Sequence, residues 1–135
     1  MTRDQYIKHP AISASRIKRF YTGDISYAQK ALTEGAAFHF DLLEQPFDDM
    51  PPGTQNVYKA IHEVAMLGEL FDKAEHEYIA LNNVTLGGIT VEGKGMMDLC
   101  WIERGIIADV KTTSAKNIQA FADDMVKHCN HVQAV

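Results

Sequence analysis

The sequence predicts a single α/β (α+β) domain in which a central mixed or antiparallel sheet is flanked by helices. Apolar residues recur at helical spacing before residue 73 and again after Lys111. Between these runs, residues 76–111 contain many β-branched and aromatic residues interrupted by glycines, which is typical of strands and turns. The length of 135 residues, with 46% hydrophobic and 23% charged residues, is that of one ordinary globular domain.

Composition and charge exclude several classes of protein. No apolar run reaches membrane-spanning length, and the first residues lack the apolar stretch of a signal peptide. Cys100 and Cys129 have no disulfide or metal-site spacing, so we expect reduced thiols, with Cys100 in the core. These features predict a cytoplasmic protein with no membrane partner. The net charge of -5 disfavours nonspecific binding to nucleic acid but leaves room for a local basic groove.

Four helices are predicted. The first is capped by Ser13 or Ser15 and ends at Gly23. The third spans residues 54–73, and the fourth spans residues 115–128 after a threonine and serine cap. The apolar residues expected to face inward in these three helices are Ile17, Phe20 and Tyr21; Val57, Ile61, Val64, Ala65 and Leu67 or Gly68; and Ile118, Phe121, Ala122, Met125 and Val126.

The second predicted helix, residues 26–44, combines an apolar stripe with a histidine. His39 lies in the middle of this stripe, where an imidazole is either a satisfied core residue or a ligand. Gly35, one turn earlier, lowers helix stability by about 1 kcal/mol relative to alanine, which makes sense if another group approaches the helix there. The stripe consists of Ala28, Ala31, Leu32, Gly35, Leu42 and Leu43.

Two strands are expected before the most informative part of the chain. They cover residues 76–81 and 84–97, with a turn at Asn82-Asn83. The glycines within the second strand indicate a bulge or a close approach of the backbone to another group. Glu77, in the first strand, either faces the same site as Asp98 or is an ordinary surface residue.

A β-hairpin over residues 96–111, with its turn at 103–105, is predicted to carry two acids and a lysine. Counting back from the turn places Asp98 opposite Asp109, to within one residue for a bulge. Because side chains alternate along a strand, Asp109 and Lys111 share a face. The complete sets are Ile107, Asp109 and Lys111 on one face and Ile106, Ala108 and Val110 on the other.

This cluster of charges suggests a divalent metal site. Two carboxylates held close together in a partly buried place are costly unless a cation offsets them. The alternative is an exposed strand end with a surface ion pair of small energetic value. A second acid-x-lysine triplet, Glu92-Gly93-Lys94, lies in the glycine-broken stretch and lacks an opposing acid.

Several motifs in order resemble the PD-(D/E)XK nuclease superfamily, most closely its RecB-like branch. They are a helix with Gly35 and His39, a strand with Gly95-x-x-Asp98, a strand with Asp109-x-Lys111, and Gln133 in a following helix. More narrowly, residues 12–15, 35–44 and 107–113 are similar to the phage and prophage exonucleases related to exonuclease VIII. The resemblance covers nearly the whole chain and implies a restriction-endonuclease-like core.

The resemblance implies a role for each matching position. His39, Asp98 and Asp109, with the backbone carbonyl of Val110, would hold Mg²⁺ or Mn²⁺, since these ions favour oxygen ligands and manganese also accepts imidazole. Lys111 would orient or activate the attacking water and stabilise charge on the phosphate. The catalytic set would be Asp98, Asp109, Lys111 and Gln133, the last matching the glutamine of a Gln-x-x-x-Tyr motif.

The implied activity is hydrolysis of phosphodiester bonds in linear double-stranded DNA, with phage-type recombination as its setting. The resemblance also implies a ring-shaped homo-oligomer and a single-strand annealing protein as partner. The tyrosine of the Gln-x-x-x-Tyr motif would fall beyond Val135, so we expect a catalytic domain truncated at its C-terminus.

Two alternatives to this activity stay open. One is a related nuclease such as a CRISPR adaptation exonuclease, although two separated cysteines do not supply the iron-sulfur ligands that those enzymes usually carry. The other is a non-catalytic DNA-binding or assembly module of the same fold, which truncation and net acidity favour.

Overall fold

The protein is a mixed α+β structure with a four-stranded mixed sheet, as the fold class predicts. A computed structural model describes residues 1–23 and 29–127. Two short 3₁₀ segments, Phe47–Asp49 and Ile102–Arg104, interrupt the loops. In chain order, the helices and strands of the described residues are α1 Arg3–Lys8, β1 Ile12–Ser13, α2 Ala14–Thr22, α3 Gln29–Leu43, α4 Pro52–Glu63, α5 Ala65–Lys73, β2 Glu75–Leu86, β3 Ile89–Trp101, β4 Ile106–Ala108 and α6 Ile118–Lys127.

The sheet is organised around β3. Strand β2 pairs with one edge of β3, while β1 and β4 also pair with β3 at different points along its length. The pairing with β1 is parallel, with Ile12 opposite Gly93, and the pairing with β4 is antiparallel. The sheet is therefore mixed, which is one of the two predicted arrangements.

Contacts divide the described chain into two compact units. One comprises residues 1–23, 79–95 and 112–127, and the other comprises residues 29–78 and 96–111. Among the described residues, no helix is long and apolar enough to cross a membrane. The single domain expected over residues 1–135 stays a prediction.

The core of the second unit lies between α3, α5 and the β3–β4 hairpin. Leu42, Leu43, Phe71 and Leu99 are buried together. Full burial of a side chain such as Leu42 contributes roughly 1.5–3 kcal/mol to stability. The partly buried residues packed on this cluster are Phe38, Tyr58, Ile61, Ala74, Ala108 and Val110.

The predicted alternation of the hairpin is confirmed. Ala108 and Val110 pack on the core, whereas Ile107 is 62% exposed. The turn also falls where it was expected, because Gly105 adopts the left-handed conformation with φ of 62° and ends the 3₁₀ segment. Cys100 is buried, as predicted, and Cys129 lies outside the described residues.

The predicted third helix is two helices. The chain leaves helical geometry at Val64, with φ of -98° and ψ of 104°, between α4 and α5. These helices approach each other closely, since a Cβ added at Gly68 would lie 3.1 Å from Cα of His62. The inner face predicted for residues 54–73 is therefore wrong at Val57, Val64, Ala65 and Leu67, which are exposed. It is confirmed at Ile61, which packs on the core, and at Gly68, which is buried.

Only the C-terminal part of the apolar stripe on α3 is buried. Ala31 and Leu32 are exposed, because the core reaches α3 only around Leu42 and Leu43. The predicted beginning of this helix, including Ala28, lies outside the described residues.

The turn between β2 and β3 is not at Asn82-Asn83. Strand β2 runs through both asparagines, and the chain turns at Gly87-Gly88 with φ of 57° and 80°. A two-residue turn with both φ values positive matches the twist of a hairpin, and glycine adopts it without steric cost. The hydroxyls of Thr85 and Thr90 hydrogen-bond at 2.8 Å on either side of the turn.

The first unit begins with a helix that the sequence did not predict, α1. The predicted ends of α2 are confirmed, since the Ser13 hydroxyl accepts the N–H of Arg16 and Gly23 ends the helix with φ of 70°. Its predicted inner face is wrong for Phe20, which is 88% exposed, and for Ile17, which is also exposed.

The last described helix, α6, begins later than predicted. Asn117 caps it by accepting the N–H of Ala120 at 2.8 Å, whereas Thr113 caps only a local turn at Ala115. Phe121 and Met125 are partly buried, as expected of an inner face. Ile118, Ala122 and Val126 are exposed, so the predicted inner face is wrong at these positions.

Candidate functional site

The register of the β3–β4 hairpin brings the two predicted acids together. Leu99 pairs with Ala108, so the next opposing positions are Asp98 and Asp109, as expected. Leu99 and Ala108 are the last backbone-paired residues, and beyond them a side chain holds the two segments together. The N–H of Val110 donates to Oδ2 of Asp98 at 2.7 Å. Asp98 thereby fixes the backbone that carries Asp109, Val110 and Lys111.

Asp98 is the most buried member of this group. Only 14% of its side chain is exposed, and burial raises the pKa of its carboxyl. The hydrogen bond from Val110 opposes that shift, the negative charge of Asp109 adds to it, and the charges of His39 and Lys111 oppose it. Burial therefore disfavours the ionised form of Asp98, and the nearby donor and cations do not fully offset that cost.

His39 comes to the hairpin from α3. Its Nδ1 atom lies 3.7 Å from Oδ2 of Asp98, which is ion-pairing distance but longer than a hydrogen bond. The neighbouring Phe38 packs on the core, and Leu42 and Leu43 anchor the end of the helix there. The buried end of α3 therefore holds His39 beside Asp98.

Asp109 and Lys111 form a second pair. Nζ of Lys111 lies 2.5 Å from Oδ2 of Asp109, as expected for residues two apart on one face. Asp109 is about half exposed, and Lys111 is less so. Lys111 thus pairs with Asp109, the acid that the resemblance assigns to a metal ion.

The donor chemistry of these residues fits Mg²⁺ or Mn²⁺. Two carboxylates and an imidazole are ligands that Mn²⁺ accepts, and the carboxylates suit Mg²⁺. Among residues 1–23 and 29–127, however, no three His, Cys, Asp or Glu side chains are arranged to hold a metal ion. The four residues stand as two pairs, so Asp109 would have to turn from Lys111 to join Asp98 and His39 around an ion.

The remaining predicted site residues are Gln133, Val110 and Glu77. Gln133 lies outside the described residues. Val110 is partly buried against the core, with its N–H engaged by Asp98. Glu77 is not among the charged groups that shift the pKa of Asp98. It is the single described residue other than glycine with positive φ, at 50°.

The alternative triplet Glu92-Gly93-Lys94 has a structural role in the first unit. Nζ of Lys94 donates to the carbonyls of Tyr6 at 2.6 Å and His9 at 2.9 Å, and it lies 4.7 Å from the centre of the Tyr6 ring. These carbonyls lie at the C-terminal end of α1, where helices leave acceptors unpaired. Lys94 therefore caps a helix.

The sequence reasoning missed a row of rings in the second unit. Tyr58, His62, Phe71 and His76 follow one another at centroid distances of 4.2, 5.9 and 4.8 Å. His62 hydrogen-bonds Oδ1 of Asp72 at 2.8 Å. This bond is the main reason that the pKa of His62 is raised. Its four-residue spacing from Tyr58 on α4 was the available sequence signal.

An open cleft of about 450 Å³ lies beside this row of rings. Phe47, Tyr58, Lys59, His62 and Glu63 line it. Lys59 sits 5.6 Å from the centre of the Phe47 ring. The charges at this cleft nearly cancel. Glu63 carries a charge opposite to that of Lys59, and Asp72 pairs with His62.

In comparisons with known proteins, no family model and no curated protein matches this chain.

Proposed function

We propose that this chain carries the catalytic centre of a metal-dependent exodeoxyribonuclease that acts on linear double-stranded DNA. The observation that supports the proposal is the grouping of Asp98, Asp109, His39 and Lys111 by the β3–β4 hairpin and the buried end of α3. Acids, an imidazole and a lysine together provide metal ligands and a cation for a phosphate.

In the proposed reaction, Asp98, Asp109, His39 and the carbonyl of Val110 would hold Mg²⁺ or Mn²⁺. The bound ion would lower the pKa of a water molecule and offset charge on the scissile phosphate. Lys111, released from Asp109, would orient that water and stabilise the charge that develops on the phosphate oxygens. Gln133 would help to position the site.

The proposal includes the partners that the resemblance implies. Linear duplex DNA is the substrate, phage-type recombination is the setting, and a single-strand annealing protein and a ring of identical subunits are the partners. The net charge of -5 makes binding of DNA depend on a local basic surface and on the bound cation.

A second candidate function is a non-catalytic DNA-binding or assembly module of the same fold. The pairing of Asp109 with Lys111 favours this alternative, because that pair leaves the described residues without a complete metal-binding group. The two functions differ in one respect that is easily measured, which is release of nucleotides in the presence of a divalent ion.

The test is digestion of an end-labelled linear duplex with and without Mg²⁺. We expect release of nucleotides only with the metal, and a loss of about 100-fold or more in Asp109→Ala and Lys111→Ala. Asp48→Ala removes an exposed acid from the same unit and serves as the matched control. Release that survives in either site variant contradicts the assignment, and binding of DNA without any release favours the non-catalytic module.

A further inference from the structure

His76, near the start of β2, has a backbone carbonyl in front of each ring nitrogen. Nδ1 lies 2.9 Å from the oxygen of Leu43, and Nε2 lies 2.8 Å from the oxygen of Phe71. A carbonyl oxygen only accepts hydrogen bonds, and a neutral imidazole has only one N–H to donate. Both contacts are therefore hydrogen bonds only when the ring carries two protons and a positive charge.

The two carbonyls belong to the ends of two helices. Leu43 is the last residue of α3, and Phe71 lies in the last turn of α5. The carbonyls at a helix C-terminus lack partners within the helix, and the dipole there favours a cation. The edge-on contact between the rings of Phe71 and His76, with centroids 4.8 Å apart, holds the imidazole in place. His76 thus joins α3 to α5.

The helix end that His76 holds also carries His39. One helical turn separates His39 from Leu43, and Nδ1 of His39 lies 3.7 Å from Oδ2 of Asp98. A shift of the end of α3 would change that distance. Among the described residues, no hydrogen bond, ion pair or ring contact joins His76 to Asp98, Asp109 or His39, so an effect on the site would pass through the helix.

Several charged residues are close in sequence to His76 or to the residues that it contacts. Among the described residues, no carboxylate oxygen lies within 4.0 Å of its ring nitrogens, so the two carbonyls are its partners. Asp72, the nearest acid in sequence to Phe71, is engaged by His62. The charged residues next to the contacting positions are Glu44 after α3, Asp72 and Lys73 on α5, and Glu75 and Glu77 on β2 itself.

We propose that His76 is a positioning residue whose ring, when it carries both protons, clamps the C-terminal end of α3 to that of α5. When the ring loses a proton to solvent, one of its nitrogens becomes an acceptor and repels the carbonyl that it faces. That end of the clamp opens, and the placement of His39 beside Asp98 loosens. The effect on a metal site rests on the proposed function, whereas the clamp itself does not.

His62 provides a matched control within the same unit. Its two ring nitrogens also face acceptors, the carbonyl of Tyr58 and the carboxylate of Asp72, each at 2.8 Å. Like His76, it therefore has an acceptor in front of each ring nitrogen, one of which is here a carboxylate. Because it joins α4 to α5 and does not reach α3, its removal should leave His39 in place.

The first experiment is a pH titration of the full chain by NMR between about pH 5.5 and 8.5, the range in which imidazoles titrate. The ring nitrogens of His76 and the backbone amides at the end of α3, including Glu44, are followed together. We expect these amide signals to move with the same midpoint as the His76 ring. A parallel titration of His39→Gln removes the imidazole that α3 itself carries. If these amide signals do not change at the midpoint of the His76 titration, the proposed clamp is wrong.

The second experiment compares His76→Gln with His62→Gln for binding of Mn²⁺, without DNA. We expect His76→Gln to weaken binding by about tenfold, the usual effect of losing a group that orients a ligand, and to abolish the coupled change in α3. His62→Gln should preserve both. Equal effects of the two variants would overturn the proposal. If His76→Gln does not fold, the titration of the unmodified chain still decides.

These readouts separate failure of the clamp from failure of the proposed function. If the end of α3 follows the His76 titration but the unmodified protein binds no Mn²⁺, the clamp stands and the metal site is wrong. If Mn²⁺ binds and the end of α3 does not follow His76, the metal site stands and the clamp is wrong.

Discussion

Oδ2 of Asp98 accepts the N–H of Val110 at 2.7 Å, just beyond Leu99 and Ala108, the last paired residues of β3 and β4. A side chain thus continues the hairpin where the backbone ladder stops. The same oxygen faces His39 at 3.7 Å. Asp98 therefore serves both the fold and the candidate site, and these roles make different demands on its charge.

Replacing Asp98 by asparagine should separate the two roles. Burial and the charge of Asp109 raise the pKa of Asp98, so an ionised carboxylate is disfavoured there. Asparagine keeps an oxygen that accepts the Val110 N–H and carries no charge. We expect Asp98→Asn to unfold at a higher temperature than the unmodified protein without metal, and to gain nothing from added Mn²⁺.

Thermal unfolding with and without MnCl₂ provides the measurement for Asp98→Asn. Asp48→Asn, at an exposed position of the same unit, controls for the change in net charge. An Asp98→Asn protein that is less stable without metal would show that the carboxylate contributes more as a hydrogen-bond acceptor than its burial costs.

Removing the Lys111 ammonium should strengthen metal binding while abolishing cleavage. Lys111 competes for Oδ2 of Asp109, at 2.5 Å, and its charge repels a cation. We expect Lys111→Met to bind Mn²⁺ roughly 3- to 10-fold more tightly, since both effects disappear. Titration calorimetry measures the affinity, with Lys73→Met as a control at an exposed position of α5. Weaker binding would mean that Lys111 organises the ligands.

The hairpin was the part of the site that the sequence could predict. Strand alternation and the spacing of Asp98 and Asp109 from Gly105 depend only on local geometry, and the observed register agrees with them. The spacing could not reveal that Asp109 turns to Lys111, because the choice of a partner by a side chain depends on packing and on which cations are present.

The failures in the fold have a common physical cause. Periodicity identifies apolar faces but not what covers them, so Phe20 and Ile118 were expected inside and are exposed. The break at Val64 depends on the close approach of Gly68 to His62, a tertiary contact that sequence spacing does not encode. His76 was missed for the same reason, since its acceptors are backbone carbonyls at the ends of two other elements.

Removing Lys94 should destabilise the first unit without affecting catalysis. Hydrogen bonds from a charged donor contribute about 1.5–3 kcal/mol, and Lys94 donates to several carbonyls at the end of α1. We expect Lys94→Met to lower the free energy of unfolding in urea by roughly this amount. Lys8→Met removes an exposed lysine from the same helix and should change little.

Cleavage of linear duplex by folded Lys94→Met protein checks the assignment of the two acid-x-lysine triplets. We expect the rate per folded molecule to equal that of the unmodified protein. A Lys94→Met protein that folds but no longer cleaves would move the candidate catalytic lysine from Lys111 to Lys94.

The ion pair between His62 and Asp72 should make the protein more stable in mild acid than at alkaline pH. The pKa of His62 is raised, chiefly by its hydrogen bond to Asp72, so the folded state holds this proton more tightly than the unfolded state does. The stabilisation is fully present below the unfolded pKa of about 6.5 and is lost as the pH rises through the higher folded value. Because the pair is partly exposed, we expect a change of about 0.2–1 kcal/mol. Urea unfolding of the unmodified protein and of Asp72→Asn at about pH 6 and pH 8 isolates this contribution, which should shrink in the variant. An equal pH dependence in both proteins would assign the effect to other groups.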